Sequence, residues 1–130
     1  MRSDQYTQHR LTIPPAFGLA NLGNTCYLNA VMQSLRAIQP FMAAVESTPQ
    51  PEGSLFRIVA DVWKRMAGKT EVVRRRELKS RMARLNPMFA GNAEHDAHEF
   101  CLELLNQMHD ELLAEQKKQT VALFLLDCAF

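Results

Sequence analysis

The sequence predicts a mostly α-helical fold. Apolar residues recur at helical spacing in several segments, no segment alternates with the period of two that a half-buried strand shows, and clusters of Gly, Pro, Asn and Ser fall between the periodic stretches. Of the 130 residues, 47% are hydrophobic and 22% charged. That balance supports a real buried core in one domain, or in a piece of a larger one.

Residues 1–17 are polar and close on Pro14 and Pro15, which predicts an extended N-terminal segment rather than a helix. Gly18 to Thr25 (GLANLGNT) is a turn by composition, because Gly and Asn tolerate unusual backbone angles. Leu28, Val31, Met32, Leu35 and Ile38 then form a helical stripe that Pro40 is expected to end, with Thr25 at the N-cap and Cys26 in the first turn. After a loop over ESTPQPEGS, Leu55, Ile58, Val59, Val62 and Met66 share one face of a second helix, with Gly68 as its expected stop. Leu78, Met82 and Leu85 predict a short third helix before Pro87 and Gly91. The longest signal runs from about Ala93 to Glu115, with Ala97, Cys101, Leu104, Leu105, Met108 and Leu112 as its stripe. The last ten residues, VALFLLDCAF, hold nine apolar ones and are expected either to pack back on the helices or to lead into a strand.

Net charge is +1, so no function follows from a globally basic or acidic surface. Charge is uneven along the chain: Lys64 to Arg84 carries nine Lys or Arg against two Glu, while Ala93 to Gln116 carries seven Asp or Glu and no Lys or Arg. Each is in the first instance the solvated face of a helix. The Arg74-Arg75-Arg76 run lacks aromatic interleaving, so nucleic-acid binding is not expected. No run approaches the roughly 18 apolar residues of a membrane span, and the start has no apolar signal-peptide core. Cys26, Cys101 and Cys128 are odd in number and widely spaced, unlike a disulfide framework. A reducing cytoplasmic or nuclear compartment is the expectation.

A cysteine at a helix N-terminus, preceded by a Gly- and Asn-rich turn, has the surroundings of a nucleophile. Free N–H groups and the positive end of the helix dipole favour thiolate over thiol. The same donors stabilise the oxyanion formed when a thiolate attacks a carbonyl, and Asn21, five residues earlier, is a second candidate donor. Spacing alone leaves the alternative standing, since most free cysteines are small buried hydrophobes. His95, His98 and Glu99 are close in sequence but lack the further ligands of a zinc site, so neither a metal nor another cofactor is expected.

The string Gly18-Leu-Ala-Asn-Leu-Gly-Asn-Thr-Cys26-Tyr-Leu-Asn-Ala-Val-Met-Gln33-Ser-Leu strongly resembles the Cys box of the ubiquitin-specific protease family of deubiquitinases. Asp96-Ala-His-Glu-Phe100, followed by Leu104, Leu105 and a leucine-rich helix, resembles that family's second motif, the QQD box. The two motifs stand in the family's order, and the resemblance covers roughly residues 14–116. It implies that Cys26 is the nucleophile, that Asn21 helps bind the oxyanion and that Asp96 holds the backbone of the ubiquitin C-terminal tail. The implied reaction is hydrolysis of the bond after ubiquitin's last glycine, with ubiquitin or ubiquitinated proteins as partners. The Arg-rich tail then gives the acidic 93–116 segment a candidate partner.

The resemblance departs in two places. The glutamine pair before the Asp is here Glu94-His95, which adds attraction for arginine and a titrating group. The family resembles papain-like proteases, with a helical thumb that carries both motifs, fingers that grip ubiquitin, and a palm that carries the His box. The implied architecture is the thumb (residues 18–116) with an apolar tail over 117–130, cut before fingers and palm. His95, His98 and His109 have no spacing that suggests a substitute base. The expectation is therefore a deubiquitinase by family whose activity as this chain alone is absent for want of a His box. The alternative is a non-catalytic ubiquitin- or partner-binding remnant, and self-association through exposed apolar surface is open in either case.

Overall fold

The computed structural model describes residues 18–66 and 70–128. The extended segment expected over residues 1–17 and the stop expected at Gly68 lie outside them. Every regular element among the described residues is helical: α1 (Cys26–Ala37), α2 (Gln39–Ser47), α3 (Leu55–Lys64), α4 (Thr70–Leu85), a short 3-10 turn (Pro87–Phe89) and α5 (Ala97–Cys128).

Most of the stripe residues read from the sequence meet in one core; Ile38 and Leu85 are exceptions and are exposed. Leu28, Val31, Met32 and Leu35 of α1 pack with Leu55, Ile58, Val59 and Val62 of α3, Leu78 and Met82 of α4, and Phe100, Leu104 and Met108 of α5. Fully burying a side chain of this size stabilises by about 1.5–3 kcal/mol. Trp63 closes the α1–α3 seam, its indole Nε1 donating to the Met32 carbonyl at 3.2 Å. Ser54 caps α3 by accepting from the Arg57 N–H at 3.1 Å. Glu111 reaches across from α5 and accepts the Leu55 N–H on its carboxylate at 2.9 and 3.0 Å, so α5 supplies a second cap to α3.

Three boundaries away from the candidate site differ from the sequence expectation. The helix expected to end at Pro40 breaks at Ile38, whose extended backbone separates α1 from α2, and α2 starts at Gln39 with Pro40 in its first turn. Proline is accommodated there because a first-turn N–H has no intrahelical partner to lose. Instead of a short helix near Leu78, α4 spans 16 residues from Thr70. The 117–128 segment neither packs back nor forms a strand; α5 runs unbroken to Cys128. Its Gln, Lys, Ala and Leu residues are good helix formers with no Gly or Pro to stop them. Val121, Leu123, Phe124, Leu125 and Leu126 are left between 56% and 66% exposed. No helix among the described residues is long and apolar enough to cross a membrane.

Candidate active site

The turn before α1 is built around one side chain. Asn21 Oδ1 accepts the N–H of Gly23 at 3.0 Å and of Thr25 at 3.1 Å, with the Thr25 hydroxyl at 3.4 Å. Two backbone donors on the oxygen fix the amide's orientation, so its Nδ2 faces away from the turn and has no hydrogen-bond partner among the described residues. Gly23 (φ 97°) and Asn24 (φ 51°) take left-handed backbone angles that Gly and Asn tolerate.

Thr25 occupies the N-cap position as expected, but its side chain does not cap α1. The Oγ1 instead accepts the Leu22 N–H at 2.9 Å. The first-turn N–H groups of α1 are thus left without a side-chain cap, directly beside Cys26, whose thiol is exposed at the first helical position. Cys26 is therefore not the buried hydrophobe that spacing alone allowed. Of the other cysteines, Cys101 is half-buried, and burial pushes its thiol up from the ordinary value. Cys128 is exposed on α5.

Asp96 stands at the N-cap of α5. Its Oδ1 accepts the N–H of His98 at 2.7 Å and of Glu99 at 3.2 Å, and its carbonyl accepts from Phe100 at 3.1 Å. The helix expected from Ala93 begins at Ala97 for this reason. Asp96 is exposed, and its Oδ2 has no hydrogen bond within the described residues.

Two sets of contacts bring the Cys26 and Asp96 segments together. Asn24 Nδ2 donates to the Asn92 carbonyl at 2.6 Å, across 68 residues of sequence. Beneath, Tyr27, Phe89, His95 and Phe100 form an aromatic cluster, with ring centroids 5.2 Å apart for Tyr27–His95, 5.1 Å for Phe89–His95 and 5.3 Å for Tyr27–Phe100. Tyr27 follows the cysteine and His95 precedes the aspartate, so this cluster fixes the two site residues relative to each other. The Tyr27 hydroxyl is buried without a partner; burial, and after it the neighbouring Cys26, pushes its pKa up.

The family model described as "Ubiquitin carboxyl-terminal hydrolase" matches residues 17–127. The chain belongs to that family. It is similar to "Ubiquitin carboxyl-terminal hydrolase 12" of Salmo salar, 38% identical over 109 residues that cover 79% of this chain and 29% of the relative. The chain thus spans less than a third of the length of that curated relative.

In this member of the ubiquitin carboxyl-terminal hydrolase family, the Glu94-His95 departure has a structural use. His95 packs edge-on against Tyr27 and Phe89, and its Nε2 is buried with no hydrogen-bond partner. No hydrogen bond joins Cys26 to His95, His98 or His109 among the described residues. No three His, Cys, Asp or Glu come together as metal ligands among the described residues.

Two partners of the site had no sequence signal strong enough to find them. Asn92 had none, since an Asn beside a Gly marks only a turn. Arg75 looked like one of three surface arginines, yet it is fully buried, at 0% exposure.

Proposed function

We propose that this chain forms the cysteine-bearing helical portion of a deubiquitinase. Cys26 is the nucleophile, and its thiolate attacks the carbonyl of ubiquitin's last glycine. A thioester forms, the amine leaves with a proton, and water then releases ubiquitin. Asn21 Nδ2 and the uncapped first-turn N–H groups of α1 donate to the oxyanion. The Asp96 Oδ2 accepts a backbone N–H of the bound tail. The reading rests above all on one observation: an exposed thiol at an uncapped helix N-terminus, beside an amide whose donors are turned out of their own loop.

Turnover needs a base within hydrogen-bond reach of sulfur, and among the described residues no histidine is hydrogen-bonded to Cys26. A second reading, a ubiquitin-binding portion without turnover, is favoured by the burial of His95 Nε2 among aromatic rings. One pair of assays separates them. Ubiquitin with a C-terminal electrophile should form a single adduct, seen by intact mass, that Cys26→Ala abolishes; no adduct from a folded chain refutes the nucleophile assignment. Release of a fluorescent leaving group from ubiquitin's C-terminus then distinguishes turnover from capture. The free thiols and this substrate suit a cytoplasmic or nuclear setting. The exposed apolar end of α5 is proposed to drive association of copies at high concentration.

A further inference from the structure

The Cys26 loop is tied to α4 by a residue that neither motif contains. Arg75 is completely buried, an expensive place for a guanidinium unless its donors are used. Its Nη1 donates to the Ala20 carbonyl at 2.7 Å and to Asn29 Oδ1 at 2.6 Å. Asn29, one turn beyond Cys26 on α1, sends its Nδ2 back to the same Ala20 carbonyl at 3.2 Å, with the Leu19 carbonyl at 3.5 Å. Arginine, helix and loop thus close a triangle on the residue immediately before Asn21. The loop has few other anchors: Asn21, Gly23 and Asn24 are exposed, and their hydrogen bonds run within the turn or to Asn92. Burial pushes the Arg75 pKa down from its ordinary value.

We propose that Arg75 is a positioning residue for the candidate active site: through Ala20 and Asn29 it fixes the loop that aims the Asn21 amide at the space above Cys26. This deepens the deubiquitinase reading and rests on it for the role of Asn21, but the clamp itself is measurable without any activity. An apolar side chain would fill the core equally well. The guanidinium's distinct contribution is to bind the carbonyl of a loop that has no regular structure of its own.

The test compares wild type with Arg75→Met, which keeps the buried volume, Arg75→Lys, which keeps one donor group, and Asn29→Ala, a half-buried site whose loss leaves the core intact. Amide hydrogen exchange is read by NMR at Gly23 and Thr25 in the loop and at Val31 and Leu35 in α1. The expected result is a loss of loop protection of about tenfold in Arg75→Met and Asn29→Ala, the factor that about 1.4 kcal/mol of lost hydrogen bonding gives. The α1 amides should change less than threefold, and Arg75→Lys should fall between. In the same variants, capture of ubiquitin bearing a C-terminal electrophile should slow more than alkylation of Cys26 by iodoacetamide, which needs no oriented donor. Equal losses in loop and helix would make Arg75 an ordinary core residue and overturn the proposal. Unchanged loop protection in Asn29→Ala would overturn it too, including where Arg75→Met fails to fold. If wild type captures no ubiquitin, the deubiquitinase reading fails, and the exchange data still decide the clamp.

Discussion

The two oxygens of Asp96 have separate duties, and two substitutions separate them. Oδ1 caps α5 at His98 and Glu99, while under the proposed function Oδ2 accepts a substrate N–H. Asp96→Ala removes the cap, about 1 kcal/mol, and the favourable charge at a helix N-terminus, about 0.3–1 kcal/mol. The expected destabilisation is about 1–2 kcal/mol, or a Tm lowered by about 4–8 °C for a domain of this size. Asp96→Asn keeps an oxygen for the cap and loses only the charge, so its Tm should fall by about 1–4 °C. Binding follows a different order. With its oxygen held by the cap, the asparagine turns an NH2 donor toward a tail N–H that needs an acceptor. Both variants then lose a charge-assisted hydrogen bond of about 1.5–3 kcal/mol, and capture of activated ubiquitin slows about ten- to hundredfold in each. Thermal melts by circular dichroism and second-order capture rates by intact mass give the two orders. An Asn variant as unstable as the Ala variant, or one that captures ubiquitin at the wild-type rate, would refute this division of labour.

Cys101→Ala and Cys128→Ala should both leave ubiquitin capture intact; loss of the adduct in either would show that the reacting sulfur is misassigned. Tyr27→Phe removes a buried hydroxyl without a partner and should stabilise the chain by up to about 1 kcal/mol in urea titration. Because the folded-state pKa of Tyr27 is raised, wild-type stability is full below the unfolded value near 10 and declines as pH rises through the folded value. Tyr27→Phe should flatten that alkaline decline, and an identical decline in both proteins would place its cause elsewhere. Glu111→Ala, which uncaps Leu55 and frees Arg81, should cost about 1–2 kcal/mol, read from the same titration. Phe124→Glu, at a side chain 66% exposed, should abolish concentration-dependent association in sedimentation without lowering Tm.

Where periodic apolar residues carried the information, the sequence was readable. The core face of α3 lies where the spacing put it, and so do Leu28, Val31, Met32 and Leu35 of α1 and Leu104 and Met108 of α5, whereas Ile38 is 50% exposed and Phe100, outside the expected α5 stripe, is fully buried. The failures have identifiable causes. Pro40 is compatible with either the end or the start of a helix, and only packing selects the start. The α4 helix was cut short because its buried stripe, 75, 78 and 82, begins with an arginine that no hydrophobic pattern includes. The three consecutive arginines have three different surroundings: Arg74 pairs with Asp61 and Glu77, Arg75 is buried, and Arg76 is exposed. Cys26 and Asn21 are candidates from the Gly- and Asn-rich turn before a helix, while the choice of Cys26 over a buried hydrophobe, and Asp96 altogether, come from a resemblance. Their orientation depends on Asn92, Arg75 and the aromatic cluster, tertiary partners that local sequence does not encode.

The cluster of Tyr27, Phe89, His95 and Phe100 has the further property of a measuring device. Under the proposed function, the separation between reacting sulfur and tail acceptor is set by these packed rings together with the exposed Asn24–Asn92 hydrogen bond above them. Shrinking or enlarging one of those rings would shift α5 against α1 and change where along an extended peptide the two grips fall. The choice of which peptide bond is presented for cleavage would then be written largely in rings packed beneath the surface.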